Sequence, residues 1–258
     1  MKKVVVDSVK VMHHNRKIDG MIYMPEDSGI YPVVIFSHGY NGHKSDFDYT
    51  ARYLAQNGIC AFCFTFCGGS TRDTSGMPTT DMTLFTERED LLAVISYVKE
   101  LEFINENQMF VFGGSQGGLV TALTVDVVPD MIRGMILLYP AFCIADDWNK
   151  RFPDVSHIPE ELEFWDMKLG KIFFESINGF DVFTHVGRFK GPVFIIHGAK
   201  DPIVSMSYIE RVSKAYINTR LEIFTEEGHG FTEEGTRRMT QLLHEFIADV
   251  LQKGERHE

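Results

Sequence analysis

The five residues Gly113-Gly114-Ser115-Gln116-Gly117 stand between two apolar runs, Gln108 to Phe112 and Leu119 to Val127. The first run has strand character and the second helix character. A serine bracketed by glycines where a strand gives way to a helix has the pattern of a nucleophile held on a sharp turn. Such a turn strains the serine backbone, so the residues two positions away must be small. Gly113 and Gly117 meet that demand, and Gly118 clears space where helix and strand cross. A serine hydroxyl is almost fully protonated at neutral pH, so it needs a base, and the base needs an acid to fix its tautomer. Both should follow later strands, in the order serine, acid, histidine. Asp201 fits the acid: it lies in His197-Gly198-Ala199-Lys200-Asp201-Pro202, right after the apolar run Val193 to Ile196. His229 fits the base, in Glu227-Gly228-His229-Gly230-Phe231. None of the nine other histidines follows a later strand between glycines. Glu226 and Glu227 are the rival acids, but they lie too close to His229 along the chain to support its ring easily.

A serine nucleophile attacking a carbonyl also needs donors aimed at the developing oxyanion. The turn supplies one, the backbone N–H of Gln116. The second should come from the loop after the strand that ends at His38, and His38-Gly39-Tyr40-Asn41-Gly42 offers the N–H of Tyr40. Glycines let that loop approach the serine, and the amides of Tyr40 and Gln116 are expected to matter more than their side chains. His38 and His43 suggest a metal at first sight, but no carboxylate cluster accompanies them. No metal or cofactor is expected.

These residues need a frame. Val4 to Met12 and Ile18 to Met24 alternate and read as an antiparallel pair. Tyr31 to Phe36, Ile59 to Cys67, Gly134 to Tyr139, Val193 to His197 and Leu221 to Thr225 read as further strands. Helices are expected at Asp46 to Asn57, with Ser45 as its N-cap, at Met82 to Glu100, at Ser205 to Ile217 and at Thr232 to Gln252. Buried strands alternating with amphipathic helices predict a mostly parallel sheet covered on both faces. One stretch breaks the rhythm. From Ala141 to Lys190 there is no strand–helix unit, and ten of the fifty residues are aromatic. An insertion placed there, at about 141–190, would overhang Ser115 as a lid.

Composition narrows the function. With 258 residues, 44% hydrophobic and 24% charged, the chain fits one large domain. A net charge of −11 disfavours nucleic acid and anionic membrane surfaces. The opening Met1-Lys2-Lys3-Val4-Val5-Val6-Asp7 has only three apolar residues before a charge, and no run is long enough to span a bilayer. The cytoplasm is the expected location, with a small-molecule substrate as partner and a homodimer left open. Three of the four cysteines fall in Cys60 to Cys67, an apolar run. Strand alternation there sends Cys60 to one face and Cys63 and Cys67 to the other, as buried thiols and not a Cys-x-x-Cys site.

Taken together, Ser37-His38-Gly39-Tyr40-Asn41-Gly42, Gly114-Ser115-Gln116-Gly117-Gly118, His197 to Val204 and Gly228-His229-Gly230-Phe231 resemble the α/β-hydrolase superfamily. Within it the chain most resembles the bacterial cinnamoyl (feruloyl) esterases, from about Lys10 to Val250. The resemblance implies an α/β-hydrolase fold with an eight-stranded sheet and a lid over an aryl-acid pocket. It makes Ser115, Asp201 and His229 the triad and Tyr40 and Gln116 the oxyanion residues, with no metal. It matches Asp147 to a phenol-binding aspartate, and Trp148 and Trp165 belong to the aromatic lid. Three departures stand out: Gly114 where many relatives carry His, a lid several residues shorter between Asp147 and His157, and Phe173 where the relatives use a phenol-gripping tyrosine. The implied activity is hydrolysis of carboxylic esters, including aryl, medium-acyl or hydroxycinnamoyl ones, through an acyl-enzyme. A thioesterase, C–C hydrolase or small peptidase would use the same triad, and a binding protein would need only the fold. Haloalkane dehalogenases and epoxide hydrolases are disfavoured, since they carry aspartate where Ser115 stands.

Overall fold

The computed structural model describes residues 2–255. β1 (Val4–His13) and β2 (Arg16–Pro25) form the expected hairpin, and β2 pairs antiparallel with β4 (Cys60–Thr65). The remaining strands are parallel: β3 (Tyr31–Ser37), β5 (Ile104–Gly114), β6 (Gly134–Leu138), β9 (Val193–Gly198) and β10 (Thr219–Phe224). The sheet has eight strands in the order β1-β2-β4-β3-β5-β6-β9-β10. Alternation along each strand feeds two cores. In β3, Val33 and Ile35 face one side and Val34 and Phe36 the other; β5 splits Met109 and Val111 from Phe110 and Phe112 in the same way. Burying each of these side chains contributes about 1.5–3 kcal/mol.

α2 (Leu84–Lys99), α3 (Gln116–Val125) and α6 (Met206–Ala215) cover the first face, and α1 (Asp48–Gln56) and α7 (Glu233–Glu255) the second. Two local expectations are corrected. Residues 44–47 form a separate 3-10 turn whose cap is His43, so Ser45 caps nothing; α1 begins only at Asp48. Cys67 joins Cys60 in the first core, and Cys63 alone lies in the second. Strand β4 ends at Thr65, and beyond it the period-two rule no longer governs direction.

Between β6 and β9 the chain leaves the sheet. It forms α4 (Ile144–Arg151), a hairpin of β7 (Glu161–Phe164) and β8 (Met167–Gly170), and the short α5 (Lys171–Ser176). Trp165 and Asp166 make the two-residue hairpin turn, both with positive φ, at 44° and 58°. That geometry suits the twist of a tight hairpin; Asp166 tolerates it, whereas Trp165 is strained there. Both stems of the segment are tied to the core. The Ala141 N–H donates to the Ser115 carbonyl at 3.0 Å, and Asp126, at the end of α3, accepts from the Arg188 and Phe189 amides at 2.8 and 3.1 Å.

Candidate active site

β5 ends at Gly114 and α3 begins at Gln116, so Ser115 alone makes the turn, at φ 53° and ψ −121°. The glycines explain how this is tolerated. A Cβ on Gly113 would overlap the Gly117 carbonyl, and one on Gly117 would overlap the carbonyls of Ser37 and His38. Gly114 is different, because a side chain there would meet Phe47 only at ordinary contact distance, 3.5 Å. Gly39 brings the loop after β3 close: its added Cβ would stand 3.1 Å from the Ser115 Cβ.

Ser115 Oγ lies 2.8 Å from His229 Nε2, and His229 Nδ1 lies 2.8 Å from Asp201 Oδ2. With Asp201 ionised, Nδ1 carries the proton and donates to the carboxylate, leaving Nε2 to accept from the serine hydroxyl. The other carboxylate oxygen, Oδ1, accepts from the Ile203 and Val204 amides at 2.8 and 2.9 Å. Burial pushes the Asp201 pKa up, but the hydrogen bonds from His229, Val204 and Ile203 outweigh it and hold the group below the usual carboxylate range. Glu226 and Glu227 are engaged elsewhere. Glu226 pairs with Lys200, and Glu227 accepts from the Thr232 amide and hydroxyl.

His38 and His43 also have other partners. The Phe66 N–H donates to His38 Nε2 at 3.0 Å, which puts the His38 proton on Nδ1, 2.7 Å from the Gly39 carbonyl. Burial drives the His38 pKa down to about 4, so the ring stays neutral and pins the loop that carries Tyr40. His43 caps the 3-10 turn through its own side chain.

Gln116 occupies the first position of α3, where backbone N–H groups have no partner within the helix. The side chains of Tyr40 and Gln116, expected to matter less than their amides, are both hydrogen-bonded. Tyr40 Oη donates to the carbonyls of Phe164 and Met167, at 2.8 and 3.2 Å, gripping both ends of the hairpin turn; Asn41 Nδ2 donates to the Trp165 carbonyl at 3.3 Å. Gln116 Nε2 donates to Glu87 Oε2 at 2.9 Å. Glu87 was missed in the sequence, although it sits one turn before Leu91 on the apolar stripe of α2 and is fully buried. Its position on that stripe was the available signal.

A cavity of about 200 Å³ opens beside Ser115 and brings together Tyr40, Gln116, Asp147, Trp148, Trp165 and Phe173. Cys143, Leu169, Arg151 and Ile203 also line it, and nothing in the sequence singled them out. Phe173 is 1% exposed, whereas Trp165 at the hairpin tip is 54% exposed. Phe152 and Phe174 stand behind the wall: Phe174 packs edge-on against Trp148 at 4.8 Å, and Phe152 stacks on it at 6.1 Å.

Residues 45–254 match the prolyl oligopeptidase family. The chain belongs to that family. This member of the prolyl oligopeptidase family is also similar to a solved structure of Est1E from Butyrivibrio proteoclasticus with ferulic acid bound, at 26% identity and a TM-score of 0.86, covering 95% of this chain and 99% of that one. Mouse α/β-hydrolase domain-containing protein 10 shares the fold, with a TM-score of 0.77 at 16% identity, over 96% of this chain and 99% of that one. Among curated proteins, the mouse monoacylglycerol lipase ABHD6 is 20% identical over 85% of this chain and 76% of its own length. The chain is an α/β-hydrolase with esterase-like and lipase-like relatives. Among the described residues no helix is long and apolar enough to cross a membrane.

Proposed function

We propose that this chain hydrolyses carboxylic esters through an acyl-enzyme, with Ser115 as nucleophile, His229 as general base and acid, and Asp201 as the group that orients His229. The observation that carries the reading is the Ser115–His229–Asp201 relay, two hydrogen bonds of 2.8 Å each, opening onto a largely apolar cavity. His229 Nε2 takes the serine proton as Oγ attacks the ester carbonyl and returns it to the departing alcohol; water repeats the sequence to release the acid. The amides of Tyr40 and Gln116 receive the oxyanion. The segment at about 141–190 acts as the lid of this site, and its cavity takes the acyl group.

Aryl and medium acyl groups suit that cavity, since each buried methylene contributes about 0.8 kcal/mol. Hydroxycinnamoyl esters fall within this class, and the likeness to a structure with ferulic acid bound supports them. Asp147 is the candidate partner for a phenol, while Phe173 offers none. Membership of the prolyl oligopeptidase family favours a second reading, peptide hydrolysis by the same triad. A fluorophosphonate that labels wild type but not Ser115→Ala tests the nucleophile. Comparing kcat/KM for methyl ferulate, methyl cinnamate, p-nitrophenyl butyrate and a prolyl p-nitroanilide tests the class. Esters turned over well above the anilide support the proposal, and the reverse order assigns the chain to peptides.

A further inference from the structure

Glu87 is an acid with no solvent to ionise into. It is 0% exposed, Oε2 accepts from Gln116 Nε2 at 2.9 Å, and among the described residues Oε1 has no hydrogen-bond partner. Gly69, after β4, leaves the room for Oε1: a Cβ at that position would stand 2.8 Å from it. The proposed mechanism above gives this carboxyl no part, yet it holds the side chain of the residue whose amide faces the oxyanion.

We infer that Glu87 is a positioning residue for the oxyanion hole, tethering Gln116 from behind, and that the hole works while the Glu87 carboxyl carries its proton. Burial, with a smaller push from Asp90, raises the Glu87 pKa to about 8 against the Gln116 hydrogen bond that lowers it. Two ionisable groups face it. Asp90, three residues on along α2, is itself pushed up to about 6 by burial and stands 3.1 Å from Arg16; Tyr40, from the loop after β3, is held neutral by burial. Neither is a cation placed to stabilise an ionised Glu87. Above pH 8 its negative charge therefore appears behind the donors meant for another negative charge, in surroundings too dry to screen it.

The inference rests on the acyl-enzyme reading, and its test separates the two. kcat and KM for p-nitrophenyl butyrate are measured from pH 6 to 10 in wild type, Glu87→Ala, Glu87→Gln and Gln116→Met. Losing the tether is expected to lower kcat about tenfold or more in Glu87→Ala and Gln116→Met, with KM within about twofold, because small displacements of an oxyanion donor cost rate steeply. Glu87→Gln should recover most of that loss. Wild-type kcat should fall above pH 8, and Glu87→Gln should lack the fall. If Glu87→Ala does not fold, the Glu87→Gln profile decides. A wild-type profile flat above pH 8, an alkaline fall that survives in Glu87→Gln, or a Glu87→Ala enzyme equal to wild type overturns the inference. If Ser115→Ala stays active, the catalytic reading falls instead.

Discussion

The two walls of the site are built on different principles. The sheet-side wall consists of strand ends whose side chains are buried and whose loops are fixed by steric necessity: Gly39, Gly113 and Gly117 sit where a Cβ would meet neighbouring backbone or Ser115 itself. The opposing wall is made of an eight-residue helix, a hairpin with four-residue strands and a six-residue helix, and it exposes Trp165 at its tip. One wall is fixed by backbone packed against backbone at these three glycines; the other packs Leu169, Phe173 and Phe174 into the first core and adds a few polar ties. On the proposed reading, chemistry and selectivity fall to walls that are packed in different ways. That contrast can be broken or sharpened by substitution.

The largest effect is expected on the sheet side. Ser115→Ala should lower kcat/KM by more than about a thousandfold, and Asp201→Asn by on the order of a thousandfold through the wrong His229 tautomer. Retention of a tenth of wild-type rate in either would remove this wall from the chemistry. Gly117→Ala should damage fold and rate together, since its Cβ would overlap two carbonyls. Overpacking of this kind costs about 1–3 kcal/mol, which thermal unfolding would register as a loss of several degrees.

His38 gives the same wall a pH signature. Its folded pKa, about 4, lies below the ordinary 6.5, so the unfolded chain binds the proton first and stability falls as pH drops from about 6.5 to about 4. Urea midpoints across that window should show a shallower slope in His38→Gln than in wild type.

On the opposing wall the effects should be smaller and appear in selectivity. Tyr40→Phe keeps the backbone amide but releases both carbonyls of the hairpin turn. Loss of a hydrogen bond contributing about 0.5–1.5 kcal/mol should raise KM for large acyl esters about two- to twelvefold. An effect on kcat alone would mean that the hydroxyl serves the loop after β3 and not the hairpin. Phe173→Tyr should produce the least change, a few-fold gain in kcat/KM for methyl ferulate over methyl cinnamate. Equal ratios in both enzymes would show that residue 173 does not meet the phenol.

The same contrast decides what the sequence disclosed. The strands, the helices on both faces and the approach of Ser115, Asp201 and His229 follow from apolar periodicity and from glycines at fixed offsets, both local signals. The hairpin between Glu161 and Gly170 had no such signal, because its turn is Trp165-Asp166 and not an Asn-Gly pair; Tyr40 and Asn41, far away in sequence, hold it in place. Cys143 and Ile203 line the cavity for a similar reason, through contacts that only the folded chain creates. Glu87 was hidden differently: a charged residue on an apolar stripe reads as a flaw in the pattern until its partner Gln116 is seen.

The stems of the segment between β6 and β9 bear on how such a protein diversifies. One is tied to the Ser115 carbonyl through Ala141, and the other is clasped by Asp126 at the amides of Arg188 and Phe189. Between those anchors the helices and hairpin are joined by short exposed turns, and lengthening a flexible turn costs only about 0.6 kcal/mol per doubling. On the proposed reading, a transplanted segment that keeps the two anchors, refills the core positions of Leu169 and Phe173 and offers Tyr40 a pair of carbonyls is expected to work over the same Ser115.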